Sequence, residues 1–261
     1  MKKQTISNRI KSAAIAVAIG ASAIANPAEA SAQQVKNVVL VHGAFADGSG
    51  YRGLYEQLVK KGYNVVVMQN PLSSLEDDVK ATQSALDKLD GPAILAGHSW
   101  GGAVITEAGN HPKVAGLVYI AALQPDKGET AGQWLQTAPP APENGVLAPD
   151  DKGIVYYSKE KFHAGFCADL RKAAADFMYA SQGAFYAKGF ATKLTEAAWR
   201  TKPSYAVVAT EDKSIVPEIQ RAMYKRSNTK VTEIKGSHVV FISQPAKVAA
   251  VIDAAAKAIS K

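Results

Sequence analysis

Ser99 stands in Gly97-His98-Ser99-Trp100-Gly101, a serine flanked at two-residue spacing by glycines. A short apolar run, Ala93–Ala96, precedes it and a helical stretch, Ala103–Asn110, follows. A serine on a strand-to-helix turn has its oxygen lifted above the sheet at a helix N-terminus, where developing negative charge is favoured. The chemistry this suits is nucleophilic attack on an acyl carbon. A serine hydroxyl is a weak nucleophile without a base. Five histidines are available. His98 lies inside the turn, pointing away from Ser99. His42 is read as shaping the turn after the first strand. His111 ends a helix beside Pro112, and His163 is read as a surface residue. His238, in Gly236-Ser237-His238, directly follows the last apolar strand pattern. Strand ends on one edge of a parallel sheet converge on one crevice, which makes His238 the base candidate. The base needs a carboxylate to orient it. Glu211 and Asp212 both follow the strand pattern Tyr205–Ala209, and Asp126 is a weaker rival.

Acyl transfer also needs two backbone N–H groups aimed at the oxyanion. Trp100, the residue after the nucleophile, offers one. The loop His42-Gly43-Ala44-Phe45 offers the other, with Ala44 the first choice and Phe45 its neighbour. Gly43 leaves room for close backbone approach.

These residues need strands to carry them. Val38–Val41, Val65–Met68, Ala93–Ala96, Val114–Ala122, Tyr205–Ala209 and Val231–Ile234 are apolar, mostly β-branched runs. Helical patterns over Tyr51–Lys61, Ser74–Leu89, Ala103–Asn110, Pro217–Arg226 and Gln244–Ile259 alternate with them. That rhythm predicts a mostly parallel sheet with helices on both faces. It breaks after Leu123, where Pro139, Pro140, Pro142 and Pro149, then helical segments rich in Ala, Phe and Tyr, run to about Lys202. The expected layout is a core over 31–123 and 203–261 with a helical insertion at 124–202.

Residues 1–30 read as an export signal. Four cations precede an apolar, small-residue stretch, Ser12–Ala25, followed by Ala28-Glu29-Ala30 and Ala30-Ser31-Ala32. The apolar stretch is short for a membrane span, which needs ~20 residues. Cleavage after Ala30 or Ala32, delivery to the periplasm or the medium, and no stable membrane span in the mature chain are the expectations. The formal charge is +7, of which residues 1–30 carry +3. The remaining excess forms no basic run and gives no reason to expect nucleic acid as a partner. A lone Cys167 excludes an internal disulfide framework and a Cys-rich zinc site.

The motifs VLVHGA at 39–44, GHSWGG at 97–102, ATEDKSIVP at 209–217 and GSHVVFISQP at 236–245 together resemble the α/β-hydrolase superfamily. The likeness is to small bacterial esterase-like members related to plant methylesterases and hydroxynitrile lyases. It implies an α/β-hydrolase fold with an inserted mobile helical cap, no cofactor and no metal. It implies Ser99 as nucleophile, Asp212 as acid, His238 as base, and Ala44 and Trp100 as the oxyanion hole. The lyases of the group add a threonine after the first strand and a lysine near the histidine. Here those places hold Gly43 and Ser237, a departure from the lyase pattern.

The expected activity is hydrolysis of a small-molecule carboxylic ester. The alternatives are a lactonase, amidase or perhydrolase on the same triad, or a non-catalytic receptor of the same fold. Seven cap aromatics, Phe162, Phe166, Phe177, Tyr179, Phe185, Tyr186 and Phe190, supply candidates for an apolar pocket.

Overall fold

A computed structural model describes residues 34–260, together with Met1. The export signal expected over residues 1–30 lies outside the described residues, Met1 apart.

The first element among the described residues is strand β1 (Asn37–Val41), buried throughout, followed by a 3-10 turn at Gly48–Tyr51 that leads into helix α1 (Arg52–Lys60). Strand β2 (Asn64–Val67) follows, then α2 (Leu75–Asp87), β3 (Ala93–His98), α3 (Gly101–Ala108) and β4 (Val114–Ile120). Helix α2 starts where Ser74 accepts a hydrogen bond from the Asp77 amide, satisfying one free N–H of the first turn. Residues 124–202 hold α4 (Ala131–Leu135), β5 (Ile154–Val155), α5 (Lys159–Phe166), α6 (Lys172–Ala180), β6 (Phe185–Tyr186) and α7 (Lys188–Ala191). The alternation then resumes with β7 (Ser204–Ala209), α8 (Pro217–Arg226) and β8 (Lys230–Ile234). A single short turn of helix, α9 (Val240–Ser243), precedes α10 (Pro245–Ile259).

Six strands form one parallel sheet in the order β2-β1-β3-β4-β7-β8. Strands β1, β3 and most of β4 are buried on both sides, which is why they read as unbroken apolar runs. Helices α1 and α10 pack together, and α2 and α3 pack together. The chain runs from β1 outward to β2, then returns to β3 on the other side of β1. Such a reversal opens a crevice at the carboxyl ends of the two strands.

The 124–202 segment differs from its helical expectation in one respect: β5 and β6 pair antiparallel, Ile154 with Tyr186 and Val155 with Phe185. Two-residue strands are too short to show alternation in a sequence. Among the described residues no helix is long and apolar enough to cross a membrane.

Candidate active site

Register places the site. Val41 of β1 pairs with Gly97 of β3, so the loop beginning His42-Gly43 lies beside His98-Ser99. Ala209 pairs with Ile234 across β7 and β8, which brings the loop of Asp212 beside the loop of His238.

Ser99 has φ +54°, the left-handed conformation that lifts its side chain out of the strand-to-helix turn. A Cβ on Gly97 would run into the Gly101 carbonyl, so the turn closes only with that glycine. A Cβ on Gly43 would lie 2.6 Å from the Ser99 Cβ, so glycine is also needed where the two loops meet.

His238 Nε2 lies 2.9 Å from Ser99 Oγ, and His238 Nδ1 lies 2.7 Å from Asp212 Oδ2. Asp212 and His238 are each 1% exposed and Ser99 is 9% exposed. The Asp212 carboxylate is otherwise saturated. Its Oδ1 accepts from the amides of Ser214 and Ile215, and its Oδ2 accepts from Gln220 Nε2 at 2.8 Å. Nothing local in the sequence marks Gln220, on α8 and eight residues on, as a partner of that carboxylate.

The rivals lie elsewhere. Glu211 is exposed and pairs with Lys235 at 3.5 Å. Asp126 is held by Arg200, whose hydrogen bonds lower its pKa below the ordinary carboxylate value.

The other histidines have structural partners. His98 Nε2–H donates to the main-chain carbonyl of His238 at 3.0 Å, while its ring tilts against the His238 ring. Burial holds its pKa well below the usual histidine value. His42 Nδ1–H donates to the Gly43 carbonyl at 2.8 Å, and its Nε2 accepts from the Asn70 amide. Its pKa is lowered, chiefly by burial. His111 pairs with Asp87, and His163 Nε2 meets the Leu170 carbonyl.

The Gly43–Ala44 peptide is trans, like every described peptide bond. With its carbonyl directed at His42, the Ala44 N–H points the opposite way. Among the described residues, the N–H groups of Ala44, Phe45 and Trp100 donate no hydrogen bond within the chain.

Ser99 and His238 open into a cleft of about 210 Å³. Its walls include Ala44, Phe45, Leu123, Phe166, Phe190 and Ile219. Asn144 and Ser214 add polar atoms, and among the described residues no Asp, Glu, Lys or Arg lines it. Of the seven cap aromatics, some of which were expected to line an apolar pocket, Phe166 and Phe190 do so. Phe162 and Phe185 are buried in packing, and Phe177 is 69% exposed. Tyr157, Pro139, Pro140 and Ile215 line the cleft without having been expected there.

A family model described as alpha/beta hydrolase family matches residues 38–251. The chain belongs to that family. This hydrolase is 27% identical over 254 residues to a pyrethroid hydrolase from Sphingobium wenxiniae, covering 84% of this chain and 86% of that one. The crystal structure of a pyrethroid hydrolase from Sphingobium faniae superposes with TM-score 0.75 at 24% identity, covering 86% of this chain and 98% of that one. Polyneuridine aldehyde esterase superposes with TM-score 0.73 at 18% identity, covering 85% and 99%. At these identities the superpositions show the shared fold.

Proposed function

We propose that this hydrolase cleaves carboxylic esters through an acyl-enzyme on Ser99. The observation that carries the reading is the hydrogen-bonded row Ser99, His238, Asp212 at the base of an apolar cleft. Ser99 Oγ attacks the acyl carbon while His238 Nε2 takes its proton. Asp212, held by three other donors, keeps the His238 Nδ1–H in place and stabilises the imidazolium. The Ala44 and Trp100 amides receive the oxyanion. Collapse expels the alcohol, which takes the proton from His238. A water, deprotonated by His238, then attacks the acyl carbon, and Ser99 leaves as the free hydroxyl with the carboxylic acid.

Among the described residues no Asp, Glu, Lys or Arg lines the cleft, so uncharged, apolar esters suit it. Residues 124–202 supply much of its wall and act as a cap. The likeness in sequence to a pyrethroid hydrolase supports the hydrolytic reading. Residues 1–30, with their basic start and small-residue cleavage pattern, direct export to the periplasm or medium.

A fluorophosphonate probe should label the mature protein at Ser99, and neutral esters should be turned over faster than lactones or amides. Ser99→Ala and His238→Ala should each remove nearly all turnover, with the double variant little worse than either. Absence of labelling would leave a receptor; losses that multiply would mean the two residues do not share a step. N-terminal sequencing of the exported protein should begin near Ser31 or Gln33; a start at Met1 would sink the export reading.

A further inference from the structure

Asp78 is a carboxylate the proposed reaction does not use, yet it is 1% exposed, in the first turn of α2. Removing a carboxylate from water is costly unless its oxygens are bonded. Both are. Oδ1 accepts from the Leu72 amide at 2.7 Å, and Oδ2 accepts from the indole Nε1–H of Trp100 at 2.8 Å. Leu72 sits at φ +58°, in a turn a non-glycine residue rarely adopts. One carboxylate therefore bridges that turn and the residue directly after Ser99.

Trp100 is 1% exposed and gripped on its other side as well. Its ring meets Phe185 edge-on at 5.2 Å and Phe190 at 5.8 Å, and a Cβ on Gly189 would lie 3.2 Å from it. Phe190 lines the cleft. The indole is thus held at its Nε1–H by Asp78 and around its six-membered ring by the 124–202 segment. Held at both places, the Trp100 side chain restrains the backbone that carries it. An oxyanion donor works only when already aimed, so a fixed amide matters for rate rather than for substrate affinity.

We propose that Asp78 is a positioning residue that acts through the Trp100 indole to hold the Trp100 N–H toward the oxyanion. This rests on the reading of Trp100 as an oxyanion donor. A carboxylate suits the task because it presents two acceptors at once. Asparagine at the same place has one acceptor and must turn a donor toward either Leu72 or Trp100.

The test is a cycle of Asp78→Asn, Trp100→Phe and the double variant. It is followed by kcat and KM on a neutral ester, by the rate of phosphonylation at Ser99, and by melting temperature. Asp78→Asn should lower kcat and the phosphonylation rate about ten-fold with KM little changed. That is short of the ~10²–10³ lost when an oxyanion donor is removed outright in another hydrolase. Trp100→Phe should cost about as much, and the double variant should be no worse than Trp100→Phe, since the partner through which Asp78 acts is gone. Losses that multiply, or a change confined to KM, would show that Asp78 serves only the Leu72 turn and would overturn the proposal. If Asp78→Asn does not fold, Trp100→Phe decides alone, and an unchanged kcat overturns it. Turnover surviving in Ser99→Ala would instead mean that the proposed reaction is wrong, a separate outcome from any result of the cycle.

Discussion

The His98 ring donates its Nε2–H to the main-chain carbonyl of His238, 140 residues along the chain, at 3.0 Å. The residue before Ser99 thus grips the backbone of His238, and its own Nδ1 is left without a partner among the described residues. Because burial keeps His98 neutral, it places no charge beside His238. Phenylalanine would keep the ring contact with Phe241 and lose the donor. His98→Phe should therefore cost about 1–3 kcal/mol, the range for a buried carbonyl left unbonded. Denaturant unfolding checks it, and His98→Gln, which restores an N–H, should recover part of the loss. Equal stability of His98→Phe and the parent would mean that the bond carries nothing.

Asp212→Asn should cost far more activity than Glu211→Gln or Asp126→Asn. Only Asp212 reaches the His238 Nδ1–H; Glu211 reaches Lys235 and Asp126 reaches Arg200. In a serine protease, a different enzyme with the same three residue types, loss of the orienting carboxylate costs on the order of 10⁴ in kcat. Steady-state kinetics on a neutral ester compares the three. Similar small losses throughout would remove Asp212 from the proposed role.

The stability of the protein should carry the mark of Asp78. Burial raises its carboxyl to about 6, outweighing the hydrogen bonds from Trp100 and Leu72, with the neighbouring Asp77 adding to the rise. A carboxyl raised on folding takes up a proton as the chain folds between its unfolded value, ~3.9, and about 6. Its contribution is present in full below the lower value and is lost as pH rises through the upper one. The melting temperature of the parent, minus that of Asp78→Asn, should therefore increase as pH falls from 7 to 4. A difference that stays flat over that window contradicts the raised value.

Cys167 should be inert and dispensable. It is fully buried, its Sγ meets only the Phe162 carbonyl at 3.7 Å, and burial pushes the thiol up to about 12. The thiolate that reacts is then scarce at neutral pH. A thiol reagent should leave the folded protein unmodified and label it after denaturation, and Cys167→Ser should keep its turnover. Rapid labelling of the native protein would contradict this.

The sequence by itself determined the elements that are written locally. The run before Gly97, the motif Gly97-His98-Ser99-Trp100-Gly101 and the helix after it lie within one short stretch, so strand, turn and helix were legible there together. Asp212 and His238 were legible because each follows a strand, and parallel strands end on one edge. The choice of Asp212 over Glu211 came from resemblance, since adjacent carboxylates look alike in a strand-end loop. Only the tertiary structure turns the Asp212 carboxylate to His238 and leaves Glu211 in solvent. The tertiary structure alone also decided the strand order, which seats β1 between β2 and β3 and so sets the loop of Gly43 against Ser99. It decided that Asp78 meets Trp100, that Gln220 meets Asp212, and that Tyr157 rather than Phe177 reaches the cleft. Periodicity and motifs report on neighbours along the chain. These partnerships join side chains far apart in sequence or on different turns, and they exist only once sheet order and register have brought their backbones together.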